Sequence, residues 1–202
     1  MKSLLIVAAS LLTLTGAQAG NLPAAKKARD IANTKFGGVT TNYAIRLEGS
    51  FADSDLTPRQ WDVTFFDAKR NNNGTVVRVR DGAAVSVGGA VRLVDDARFS
   101  NFLRNFTGYE AAEILNLSKW KLDSDDALAK VKTLAGEKIR VTDVKMTLEK
   151  LSDGEVAPVW SIRVKARSKV QPGQEVWIGS VQLSAESGEV LKNELQPDRL
   201  AK

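Results

Sequence analysis

The chain has 202 residues, 29 Lys and Arg against 24 Asp and Glu for a net charge of +5, and neither histidine nor cysteine. Without an imidazole, Ser-His-Asp and Cys-His catalysis lose their proton shuttle. Without imidazole or thiolate, zinc, copper and haem lose their ordinary ligands and disulfides cannot form.

Met1-Lys2, an apolar run from Leu4 to Leu14 and then Ala17-Gln18-Ala19 follow the order of a secretory leader: positive start, short apolar core, small-x-small cleavage site. A spanning helix needs about 20 apolar residues, so residues 1–19 are expected to be a signal peptide. No second apolar run follows. The rest of the chain is expected in the periplasm or outside the cell, with no membrane insertion.

A helix is predicted from near Pro23 to the Gly37-Gly38 stop. Tyr43, Ile45 and Leu47, then Trp61, Val63 and Phe65, alternate with the period of half-buried strands. Asn73-Gly74 reads as a hairpin turn, and "VVRVRDG" as a strand ending at Asp81-Gly82. Phe99, Phe102, Leu103 and Phe106 form a helical apolar stripe, expected to join two halves of the molecule.

A second helix is predicted with Ser124 as N-cap and with Asp125 and Asp126 in its first turn. Its buried face is Ala127, Val131 and Leu134, and Gly136 stops it. Strands follow through Thr142, Val144 and Met146, through "VWSIRVKARSKV", and through "VQLSAESGEV", which turns at Ser187-Gly188.

A shift of 99 residues aligns Ala28, Ala32 and Gly37 with Ala127, Val131 and Gly136, and Trp61, Val63 and Phe65 with Trp160, Ile162 and Val164. This matched periodicity predicts an α+β protein. Two tandem helix-plus-antiparallel-sheet units, residues 20–110 with the connecting helix and residues 111–202, are expected to be packed as one body.

The order "WKLDSDDALAKVKTLAG", "VWSIRVKA" and "VWIGSVQLSAESGEVL" resembles the PepSY family, and Leu22 to Val87 is a weaker copy that keeps Trp61 and "RDGAAV". The resemblance implies helices packed on curved antiparallel sheets, in tandem similar to the β-lactamase-inhibitor architecture. It also implies an extracytoplasmic binding module, of a kind found in protease propeptides, and it carries over no catalytic residue.

Asp123, Asp125 and Asp126 lack the glycine and the later glutamate of a calcium loop, so helix capping accounts for them. Asp53 and Asp55 read as a solvated loop; as a glycosidase pair they would need a facing carboxylate across a sugar cleft. Trp61 and Trp160 open the apolar parity of their strands and read as core. No catalytic, metal or cofactor-binding residue is expected.

Arg163, Lys165 and Arg167 share one face of a strand, and alternate residues there lie about 6.6 Å apart. In water, like charges at that distance repel by under about 1 kcal/mol, so the ladder belongs on a wet face. Asp143, on the preceding strand, is expected opposite Arg167. A solvated face is the plain reading; the functional one makes these three cations the docking surface for an acidic protein of the cell envelope or exterior. Nucleic acid is disfavoured by the modest net charge and by the absence of interleaved aromatics. The expected function is therefore an exported, non-catalytic binding module, with inhibition or modulation of a periplasmic or secreted protein as its specific form. The alternatives are a small-molecule or lipid carrier and, further off, a carboxylate-based hydrolase.

Overall fold

The computed structural model describes residues 24–36, 44–52, 56, 58–66, 73–92, 114–150, 157–169 and 173–201. Helix α1 (Ala25–Phe36) precedes strands β1 (Ala44–Ala52), β2 (Pro58–Phe66), β3 (Asn73–Arg80) and β4 (Ala83–Arg92). Helix α2 (Ser124–Ala135) precedes β5 (Ile139–Glu149), β6 (Val159–Ser168), β7 (Val176–Ser184) and β8 (Val190–Asn193). Short 3-10 helices lie at Leu117–Lys119 and Pro197–Ala201.

All eight strands form one antiparallel sheet in the order β4-β3-β2-β1-β5-β6-β7-β8. This corrects the expected architecture. The chain does not build two tandem helix-plus-sheet units; it builds one mostly β structure with two α-helices among the described residues. The reason is the pairing of β1 with β5, in register from Leu47 opposite Leu148 to Ala52 opposite Asp143. Each would otherwise expose a row of unpaired backbone groups, and joining them removes two sheet edges at once. Asn73-Gly74 is likewise not a turn: the two residues pair within β3, Gly74 opposite both Phe66 and Val91. Asp81-Gly82 does turn, with φ of 50° and 75°, the positive values a two-residue type I′ hairpin requires.

Both helices cover the same face and feed one core. α1 contributes Ala25, Ala28 and Ala32, and α2 contributes Ala127, Leu128, Val131 and Ala135. The alanine face lets α1 sit close to β2, β3 and β4. Beneath the helices runs a chain of rings: Phe51 lies 5.6 Å from Trp61, Trp61 lies 6.2 Å from Trp160, and Trp160 lies 6.2 Å from Trp120. Trp120 and Trp160 both donate through Nε1 to the carbonyl of Leu122, at 2.9 and 3.0 Å. This satisfies two indole N–H groups that burial would otherwise strand.

The two helix N-termini meet. The N-cap of α2 is Asp123, one residue before the expected Ser124, and its Oδ1 accepts from the Ser124 N–H at 2.7 Å. The same Oδ1 accepts from the Lys26 N–H of α1 at 3.2 Å, while the buried Ser124 Oγ accepts from the Ala25 N–H at 3.1 Å. One acidic cap thus serves first-turn donors of two helices, where both dipoles favour a negative charge. Burial nonetheless raises the Asp123 pKa, outweighing the hydrogen bonds from Ser124 and Lys26 that lower it.

Asp53, Asp55 and the stripe of Phe99, Phe102, Leu103 and Phe106 lie outside the described residues, as do residues 1–19. No described helix is long and apolar enough to cross a membrane.

Candidate functional site: the open face of the sheet

Strand parity separates a helix-covered face from an open one. On β6, Trp160, Ile162, Val164 and Ala166 are buried, while Arg163 is exposed and Lys165 and Arg167 are partly so. The three predicted cations therefore do share the open face. They do not share one environment.

Pairing assigns the neighbours of each. Arg163 lies opposite Lys145 of β5, Lys165 opposite Asp143, and Arg167 opposite Arg140. The expected Asp143–Arg167 pairing is thus wrong. The register of the whole β5–β6 pair is the cause: it brings Arg167 to Arg140, three residues from Asp143, and the one-residue shift between Val141 and Asp143 changes this by a single position. Lys165 forms an ion pair with Glu175 at 3.3 Å.

Elsewhere the open face is electrically matched. Arg78 grips both oxygens of Asp62, Nε to Oδ1 at 2.8 Å and Nη2 to Oδ2 at 2.9 Å, and Gln60 donates to Oδ1 at 3.1 Å. Arg46 pairs with Glu149 at 3.3 Å and with Glu48 at 3.8 Å. Against this background, β5 and β6 place two like-charged pairs directly opposite each other, Lys145 with Arg163 and Arg140 with Arg167. Directly opposed like charges destabilise a sheet.

One of those pairs has a neutral partner. The Arg163 guanidinium lies 5.1 Å from the ring centre of Trp177, and the Lys145 ammonium lies 5.8 Å from it. Trp177 reaches the open face because β7 changes parity: Ile178 is buried, and the next inward residue is Val181. Gly179 makes that shift possible. It has φ of 129°, and a Cβ there would collide with the backbone carbonyl of Glu194, whose own N–H donates to the Ser180 carbonyl at 2.9 Å.

Lys145 and Arg163 line an open depression of about 580 Å³ on this face, together with Ser50, Thr147, Ser161, Glu48 and Asp62. Sequence reasoning singled out Arg163, Lys165 and Arg167 and missed Lys145, Arg140 and Trp177. The available signals were the polar parity of Lys145 and the broken alternation at Gly179; cross-strand register, which opposes the like charges, is not local information.

Compared with known proteins, the chain matches no family model, no curated protein and no solved structure.

Proposed function

We propose that this chain is an exported, non-catalytic binding module that docks an acidic protein of the cell envelope or exterior on the open face of its sheet. Arg163, Lys165 and Arg167 supply the positive surface, together with Lys145 and Arg140. The carrying observation is the pair of like-charged oppositions, Lys145 with Arg163 and Arg140 with Arg167. A face shaped only by stability and solubility would alternate signs there, as it does across Asp62 and Arg78; a face that must attract carboxylates gains from the surplus.

Two further observations support binding over catalysis. The sequence has no histidine or cysteine, and both oxygens of Asp62, a carboxylate in the depression, are held by Arg78. The leader-like start supports export, and the PepSY-like order of motifs from Trp120 to Leu195 supports a binding role, with inhibition as one outcome of binding.

The test is affinity capture from an envelope fraction with two baits, the wild type and a variant carrying Arg163→Ser, Lys165→Ser and Arg167→Ser. An acidic protein retained by the first bait and lost from the second is the expected result. Identical captured sets on both baits would remove the cationic face from the function.

A further inference from the structure

Trp177 stands apart from the other three tryptophans. Trp61, Trp120 and Trp160 are buried at 0%, 4% and 0% exposure, whereas Trp177 is only partly covered and faces the open side of the sheet. Two cations converge on it, Arg163 from the adjacent β6 and Lys145 from β5 beyond it. The electron-rich face of an indole attracts cations, most strongly where water is displaced. Trp177 therefore gives two mutually repelling groups a common attractive partner, and neither charge is neutralised in the process. An acid at the same place would hold them too, but would cancel the charge that a ligand needs.

We infer that Trp177, Lys145 and Arg163 form a preorganised receptor for a carboxylate side chain of an acidic protein segment, with Trp177 as the positioning residue at the centre of the docking face. This rests on the docking reading above and adds which residues concentrate the binding. The occupant follows from charge. Among the described residues, neither Lys145 nor Arg163 forms an ion pair, while Arg46, Arg78 and Lys165 all do. Ser161 and Thr147 border the same depression and can donate to an incoming carboxylate. Arginine and tryptophan in a partly enclosed setting are also the side chains that most often dominate binding interfaces. Farther along β6, Lys165 is paired with Glu175, and Arg167 repeats the surplus opposite Arg140, so an extended segment with acids on alternate residues, about 6.6 Å apart, can reach both Arg163 and Arg167.

The experiment is calorimetric titration of the whole protein with a short peptide of alternating Glu and Ser, beside a Gln-Ser control and a single-stranded oligonucleotide of equal charge. Wild type, Trp177→Leu, Trp177→Phe and the Arg163→Ser, Lys165→Ser, Arg167→Ser variant are compared at low salt. The expected result is binding of the acidic peptide alone, with shielding of Trp177 fluorescence from a soluble quencher. Trp177→Leu should weaken binding roughly fivefold with only a small loss of thermal stability from the two cation–π contacts, and Trp177→Phe, which keeps a π face, should weaken it less. If the triple variant loses binding while Trp177→Leu binds as tightly as wild type, the receptor inference fails and the docking reading stands. If the triple variant also binds like wild type, or the wild type does not bind, both fail. Equal or tighter binding of the oligonucleotide would assign the face to phosphates and overturn the acidic-protein occupant.

Discussion

The indole of Trp61 lies against Gly49 on the adjacent strand, so closely that a Cβ on Gly49 would stand 2.6 Å from the ring. Trp61 has no room to yield, because Phe51 and Trp160 flank it and it is fully buried. Gly49→Ala should therefore act as overpacking and destabilise by about 1–3 kcal/mol, even though alanine ordinarily suits a strand better than glycine does. Trp61→Ala should cost about 3–5 kcal/mol through the cavity left behind. Denaturant midpoints measure both; an unchanged midpoint for Gly49→Ala would mean the ring can move.

Asp123 and Glu186 should affect acid stability with opposite signs. The Asp123 pKa is raised by burial. Its contribution is full below the unfolded value of about 3.9 and is lost as pH rises through the higher folded value. Asp123→Asn keeps the acceptor for both helices and should equal or exceed wild-type stability at neutral pH, with the difference closing in acid. Asp123→Ala loses the acceptor and should cost about 0.5–2 kcal/mol at any pH, the usual cost of losing a helix cap. Glu186 is lowered by its hydrogen bond to Lys119, 2.7 Å away, with Lys121 adding to it. Its contribution is present above the unfolded value of about 4.3 and is lost as pH falls through the lower folded value, so Glu186→Gln should flatten that part of the curve. Thermal unfolding between acid and neutral pH reads all three variants.

Arg167→Glu should separate stability from function. Placed opposite Arg140, it turns a repulsive cross-strand pair into an attractive one and should raise stability by about 0.2–1 kcal/mol. The same change should weaken binding of an acidic partner. A variant that became both less stable and a better binder would show that Arg140 and Arg167 do not face each other in the way the register implies.

Much of the local structure was legible in the residues. The i, i+4 spacing of Ala127 and Val131, the glycine stop at Gly136 and the Asp81-Gly82 turn follow from short-range rules, and so does the wetness of the Arg163 parity. The architecture was not. Periodicity tells which side of a strand is buried but not which strand lies beside it, so the β1–β5 pairing that makes one sheet left no mark in the alternation of Leu47 or Leu148. The site was half legible for the same reason. Lys145, Arg140 and Trp177 reach Arg163 and Arg167 through register, and register here depends on displacements near Asp143 and Gly179 that shift partners without changing composition. Asp123 was readable as an acid near a helix start; its service to a second helix, distant in sequence, was not.

The central claim is that the β5–β6 cations attract acidic protein, and salt tests it most directly. The dissociation constant for the alternating Glu-Ser peptide is measured at low and high salt for the wild type and for the variant carrying Arg163→Ser, Lys165→Ser and Arg167→Ser. Screening of exposed charges predicts tight wild-type binding that weakens as salt rises, and weak, nearly salt-independent binding by the variant. Equal affinities under all four conditions would contradict the account and leave the ladder a solvated face.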